Sequence, residues 1–183
     1  LFNSGFGEII KHGFIKDKAY YEWLRENVSE IEKLNMDYLE QMIYVSCNIK
    51  RVVVEKDPTE KGDRALLNFG HTLGHAIEKL MDFKLYHGEC VVLGMIAALR
   101  ICVSRGLITE NEYNDAIEMF KLYEFPVSVK GISIDDVIAV SKNDKKMDKG
   151  QIKFILLDKI GDAYIDRTVI DDEMREALKY VID

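Results

Sequence analysis

Arg64, Asn68, His71 and His75 stand within one short segment, "RALLNFGHTLGHAIE". These residue types share a capacity for binding anions and metals. A guanidinium forks onto carboxylate or phosphate. An imidazole is the commonest side-chain metal ligand and a general acid–base near neutrality. At about 100° per residue on a helix, these four and Glu78 fall within an arc of roughly 80°. Leu66, Phe69, Leu73, Ala76, Ile77 and Leu80 fall on the opposite side. The spacing predicts a helix over 62–83 that buries one face and presents a polar stripe on the other. Gly70 and Gly74 lie between the faces, where a missing side chain lets a neighbour approach closely. Solvated helix faces are ordinarily alternations of Lys and Glu, a role that Arg-Asn-His-His serves poorly. Two histidines at i and i+4 can share a metal or flank a ligand.

Other polar residues extend the pattern. The chain has 4 histidines. His87 opens the apolar run "YHGECVVLGM", so its imidazole needs a polar partner, either a metal or a backbone hydrogen bond. In "GFGEIIKHG", Glu8 and Lys11 share a helix face at i, i+3. That pair is either a surface ion pair worth roughly 0.2–1 kcal/mol, or Glu8 supplies a hard oxygen to a divalent cation beside two imidazoles. A mixed oxygen–nitrogen set of three ligands leaves coordination positions open, which is the catalytic zinc arrangement. His12, one turn after Glu8, is a rival ligand by spacing. Cys47, Cys90 and Cys102 sit in apolar, helix-like runs and read as buried small hydrophobes of a reducing cytoplasm, not as ligands.

The elements that must position these groups are mostly helices. The 183 residues are 48 % apolar and 31 % charged, with 2 prolines and 12 glycines, a globular balance with a sizeable core. A short helix opens near Ser4, "DKAYYEWLREN" follows, and Ser29 with Glu32 reads as a capping box. "MDYLEQMIYVSCNIKRVVVEKD" is a long helix with a β-branched end, and "DPTEKGD" is a turn. The 87–105 run is apolar nearly all round, as in a helix enclosed by others. Arg100 interrupts it, which argues for a core helix over a membrane span. Thr109 and Glu112 form another capping box. "QIKFILL" and "DAYIDRTV" read as strands of a hairpin turning at Gly161, and a last helix starts near Asp171. The expected fold is mainly α: one multi-helical domain over 1–183 with a small β-hairpin near the C-terminus. The net charge of −7 disfavours nucleic acid as partner. A local basic pocket for a small anion remains compatible with it.

Four stretches together are more specific than any single spacing: "SGFGEIIKHGFIKD", "KRVVVEKDPTEKGDRALLNFGHTLGHAIE", "YHGECVVLGM" and "NDKKMDKGQIKFILLDKIGDA". In order and spacing they resemble the 3-dehydroquinate synthase family, over almost the whole chain but only over that family's C-terminal, metal-binding half. A start at Leu1, without methionine, agrees with a fragment lacking the family's N-terminal NAD-binding α/β domain. The resemblance implies a divalent metal, Zn2+ or Co2+, held by Glu8, His71 and His87. It places His75 near the substrate phosphate and not on the metal. Lys11, Lys50, Arg64, Asn68 and Lys145 match substrate-contacting positions, and Glu60 matches an acidic residue near the site. His12 matches a variable position, often tyrosine, and drops out as a ligand. Gly7 stands where the family usually has alanine.

The activity implied is that of a lyase of the shikimate pathway, on the route to chorismate and the aromatic amino acids. A seven-carbon keto-acid phosphate, 3-deoxy-D-arabino-heptulosonate 7-phosphate, becomes 3-dehydroquinate plus phosphate. NAD+ takes a hydride and returns it within each turnover. The resemblance also implies a soluble cytoplasmic homodimer when complete, with no membrane or nucleic-acid partner and an inactive isolated half. Two related activities fit the same ligands: another sugar-phosphate cyclase, and a metal-dependent alcohol dehydrogenase that releases NADH.

Overall fold

The computed structural model describes residues 2–58, 62–142, 147–148 and 151–183. The all-round apolar run folds as α6 (His87–Ser104), with buried residues on every face from Cys90 to Cys102. Burying such a helix requires partners on all sides. They are α1 (Phe2–Lys16), α5 (His71–Leu80), α7 (Glu110–Leu122), α9 (Asp171–Leu178) and strand β3 (Phe154–Lys159). Among the described residues α6 is the one helix long and apolar enough to cross a membrane, and 72 % of it is buried inside the fold. Its apolarity is therefore used in a protein core. The fold is mainly helical with a small antiparallel hairpin near the C-terminus, as the sequence predicts.

Between α1 and α5 the chain forms α2 (Lys18–Glu26), α3 (Val28–Glu32) and α4 (Met36–Lys56). Asp17 caps α2 by accepting from the Tyr20 backbone N–H at 2.9 Å, and Asn35 caps α4. The β-branched end of α4 stays helical to Lys56 because Val53 is buried, so tertiary packing outweighs weak local propensity. Two expected caps are corrected. Helix α1 begins at Phe2, which puts Ser4 inside it. Ser29 lies inside α3, and Asn27 takes the cap position without a side-chain cap bond. Asn27 is committed to α2 instead, with its backbone N–H and side-chain amide both donating to Trp23 O.

The continuous helix expected over 62–83 is also corrected. Residues Asp63–Asn68 form a 3-10 turn, and α5 starts afresh at His71. The break is at Gly70, whose φ of +78° is a left-handed conformation open chiefly to glycine. The chain bends there because it lies against α6: a Cβ on Gly70 would sit 2.6 Å from Val91 O.

Toward the C-terminus, Thr109 and Glu112 form the expected capping box, with N–H bonds of 2.8 and 3.2 Å. Helix α8 (Ile134–Lys142) was not anticipated. Its signal was Ser133, which accepts from the Asp136 N–H at 3.1 Å and donates to the Asp136 carboxylate. Strand β3 pairs antiparallel with β4 (Asp162–Asp166) around Gly161. Gln151–Ile152 (β2), expected to continue into β3, pairs instead with Met147–Asp148 (β1) as a separate two-residue ribbon. The Gly161 N–H donates to Phe14 O at 2.8 Å, docking the hairpin on α1. Arg105, just past α6, binds both Glu173 oxygens at 2.6 and 2.8 Å and Asp166 at 2.9 Å. It thereby ties α6, the hairpin and α9 together.

Candidate metal centre and anion pocket

Three close backbone approaches bring the site together. A Cβ on Gly7 would lie 2.6 Å from Gly88 O, one on Gly74 would lie 2.7 Å from Cys90 O, and one on Gly94 would lie 1.9 Å from Gly70 O. Helices α1, α5 and α6 therefore touch backbone to backbone where Glu8, His71 and His87 project. Each of these residues neighbours a contacting glycine: Gly7, Gly70 or Gly88. Gly7 is thus accounted for by its contact with α6.

Glu8 divides its two oxygens. Oε2 accepts from Lys11 Nζ at 2.5 Å. Lys11 is only 2 % exposed, and a buried ammonium needs such a partner. Oε1 is buried without a well-aligned hydrogen bond. It lies 3.2 Å from His71 Nε2 and 4.0 Å from His87 Nε2. Burial works against the charge on Glu8, but the nearby His71 imidazole and Lys11 ammonium outweigh it and hold the carboxyl well below the usual range. Glu8 is therefore ionised at neutral pH.

The histidine contacts decide which ring nitrogens face that oxygen. His71 Nδ1 lies 3.1 Å from Phe69 O. A carbonyl only accepts, so Nδ1 carries a proton and Nε2 is the ring nitrogen turned toward Glu8 Oε1. At 3.2 Å a proton on Nε2 can bridge the two atoms, and a metal ion can take the place of that proton with Nε2 and Oε1 as its donors. Oxygen and imidazole nitrogen together are donors that suit a divalent transition metal. The residues present thus fit the implied Zn2+ or Co2+.

His75 complicates the ligand assignment. Ligand atoms of His71, His75 and His87 lie within 4.8 Å of one another, and the His75 ring centroid is 5.1 Å from that of His71 and 5.6 Å from that of His87. Distance alone admits His75 as a ligand. The orphaned oxygen belongs to Glu8, however, and it faces His71 and His87.

Next to Glu8 is a cavity of ≈ 220 Å³ lined by Glu8, Lys11, His12, Lys50, Arg64, Leu67, Asn68 and His71. All but Leu67 are polar, and three are cations. Arg64 and Asn68 reach it from the 3-10 turn, so the break at Gly70 does not separate them from His71. Asp57 holds that turn by accepting from the Gly62 and Arg64 backbone N–H groups at 2.7 and 3.1 Å. Arg64 Nη1 donates to Pro58 O at 2.9 Å. His75 and His87 are not among the lining residues. Lys145 and Glu60 lie outside the described residues.

His12, a rival ligand by spacing, is committed elsewhere: its Nδ1 pairs with Ser46 Oγ at 2.8 Å. Burial, with Lys11 and Lys50 nearby, pushes the His12 pKa down to about 4, against the smaller opposite pull of Glu8. It forms a neutral part of the wall. Nothing in the spacing of His12 and Ser46, on two different helices, could have signalled this pair. The thiols of Cys90 and Cys102 are buried and pushed up to about 12, which leaves them un-ionised at neutral pH; Cys47, expected to be buried with them, is instead exposed on α4.

Comparison with known proteins agrees with this architecture. The family model for the 3-dehydroquinate synthase C-terminal region matches residues 5–147. The chain is 39 % identical over 172 residues to a 3-dehydroquinate synthase of Clostridium botulinum, covering 93 % of this chain and 49 % of that protein. It is 40 % identical over 180 residues to that of Acetivibrio thermocellus, covering 98 % and 49 %. The chain thus spans about half the length of the relatives it matches. Among solved structures, a 2-epi-5-epi-valiolone synthase of Streptomyces hygroscopicus with NAD+ and Zn2+ bound superposes with a TM-score of 0.88 at 24 % identity, over 97 % of this chain and 50 % of that one. A 2-deoxy-scyllo-inosose synthase complexed with carbaglucose-6-phosphate, NAD+ and Co2+ gives 0.80 at 22 %, over 97 % and 50 %. At these identities the likeness is one of fold. By its sequence match, the chain belongs to the 3-dehydroquinate synthase C-terminal family.

Proposed function

We propose that this chain is one helical metal- and substrate-binding domain, the C-terminal half of a cytoplasmic, homodimeric 3-dehydroquinate synthase. The substrate is 3-deoxy-D-arabino-heptulosonate 7-phosphate, and the products are 3-dehydroquinate and phosphate. NAD+ is bound mainly by the other half of the protein, so the isolated chain does not turn over. The observation that carries this reading is the orphaned Glu8 Oε1 facing two imidazole nitrogens beside a cation-lined cavity.

Glu8, His71 and His87 would hold the metal. When bound, a divalent cation acidifies a coordinated hydroxyl, much as bound water falls from a pKa of ~15.7 toward ~7, and so favours hydride loss to NAD+. The chain's own side chains do the rest. Arg64 suits bidentate binding of the substrate carboxylate, and Lys50 and Lys145 act as point charges toward carboxylate and phosphate. Lys11 keeps Glu8 ionised and adds positive charge to the wall. Asn68 offers a donor and an acceptor to hydroxyls. His75, half-buried on the same face of α5 as His71, is placed to move a proton near the leaving phosphate.

Two experiments test this reading. Zinc titration of the chelator-stripped chain should show one tight site that is lost in His71→Ala and in His87→Ala and kept in His75→Ala. If His75→Ala abolishes binding and His87→Ala does not, the ligand set is wrong. A complete protein containing this chain should then release phosphate from the heptulosonate phosphate with NAD+ in catalytic amount. Accumulating NADH would indicate an alcohol dehydrogenase, and a different carbocycle would indicate another sugar-phosphate cyclase.

A further inference from the structure

The two candidate imidazole ligands are held differently. His71 is anchored by Phe69 O, two residues away on its own chain, and is buried. His87 is the first residue of α6, and its side chain is 38 % exposed. A ring at that position has no preceding helical turn to restrain it. Its contact comes from a different helix: Nδ1 lies 3.2 Å from Glu78 Oε2. Glu78 follows His71 by two helical turns on the same face of α5, and its own side chain is 18 % exposed.

We propose that Glu78 is a positioning residue for the metal centre, fixing the tautomer and ring direction of His87. The inference rests on the metal-centre reading above. A carboxylate oxygen accepts, so the pair keeps a proton on Nδ1 and makes Nε2 the nitrogen that can offer a lone pair to a metal. That nitrogen is the one 4.0 Å from Glu8 Oε1. Carboxylates in this relation to a ligating histidine orient the ring and raise its basicity. With Glu78 in place, both imidazoles present Nε2 to the same oxygen: His71 through a local carbonyl and His87 through a carboxylate from the neighbouring helix. An alternative is a surface ion pair of small value. It would require nothing of the ring's tautomer and would have no effect on metal affinity.

The test compares the unsubstituted chain with Glu78→Ala and Glu78→Gln, all stripped of metal. Zinc affinity is read by chelator competition, metal-free stability by thermal melting, and the His87 tautomer by long-range 1H–15N correlation. Glu78→Ala should weaken zinc about 10- to 100-fold, leave the metal-free melting temperature unchanged, and put His87 into a mixture of tautomers. Glu78→Gln, whose amide oxygen still accepts from Nδ1–H, should recover most of the affinity and the single tautomer. Zinc affinity within twofold of the unsubstituted chain in Glu78→Ala would overturn the inference. A matching fall in metal-free stability without rescue by glutamine would overturn it too, because the role would then be structural. If the unsubstituted chain takes no zinc, the metal-centre reading fails by itself. The metal-free ring spectrum then decides on Glu78, and a tautomer indifferent to Glu78→Ala overturns the inference.

Discussion

Gly94→Ala is the sharpest perturbation of this fold. A methyl group at position 94 would lie 1.9 Å from Gly70 O, 2.7 Å from Gly74 N and 2.9 Å from Gly70 C. These are rigid backbone atoms, and Gly70 O and Gly74 N share the first hydrogen bond of α5, at 2.9 Å. Ordinary contact begins near 3.5 Å, so α5 and α6 must separate by about 1.5 Å or the first turn of α5 must unwind. Overpacking of this kind costs about 1–3 kcal/mol and occasionally more. Replacing a helical glycine by alanine returns about 1 kcal/mol of propensity. Because the clash is with rigid backbone atoms, the overpacking cost falls at the upper end of its range, and the net loss of about 2 kcal/mol lowers the melting temperature by roughly 4–8 °C for a chain of this size. The same displacement moves His71 relative to His87, and metal sites tolerate only about 0.2 Å in ligand distance, so zinc affinity should fall at least tenfold. The assays are thermal or urea unfolding and zinc competition. Gly5→Ala is the control: nothing among the described residues lies within 4 Å of its Cβ, and it should raise stability slightly with zinc binding unchanged. If Gly94→Ala matches the original chain in both stability and zinc affinity, the backbone contact does not set the site and the reasoning fails.

Two further outcomes follow from burial. His12 has a folded pKa of about 4 against 6.5 when unfolded. As pH falls through that window, the unfolded chain gains a proton that the folded one refuses. Stability therefore drops by roughly 1.4 kcal/mol per pH unit from this group, with Lys11, Lys50 and Glu8 as the charges facing it. The difference between denaturant curves of the original chain and His12→Asn should show this slope between pH 6.5 and 4 and none above, and parallel curves would contradict it. Thiol titration with a disulfide reagent should find one fast cysteine in the folded chain, exposed Cys47, and three after denaturation; fast reaction of Cys90 or Cys102 would contradict their burial.

Much of the fold could be read from the sequence because its signals are local. The all-round apolarity of α6, the Thr109 capping box and the Gly161 turn each lie within a few residues of the element they define. Helix α8 carries such a signal too, in the Ser133–Asp136 cap. The continuous helix over 62–83 failed for a non-local reason. The apolar period runs smoothly through Gly70, but α6 lies so close that the backbone turns left-handed there. Angular bookkeeping still grouped Arg64, Asn68 and His71, because the 3-10 turn delivers the first two to the cavity that His71 also lines. It also put Glu78 on the polar stripe, but without a task. Glu78 bonds His87 across the α5–α6 gap, and spacing within one helix cannot reveal a partner on the next. Position 12 was misleading for the same reason: its partner, Ser46, is on α4.

The glycine contacts behind Glu8, His71 and His87 also bear on the order of events in folding. Helices α5 and α6 are consecutive in the chain, so their seam, and with it the pairing of His71 with His87, can close early as a local helical hairpin. Glu8 arrives with α1 from the far end of the sequence, and closing that long loop costs more chain entropy. The complete donor set then exists only after α1 has docked. A cation that requires all three donors contributes little to the transition state for folding and much to the native state, so it lengthens the lifetime of the folded chain without hastening its formation.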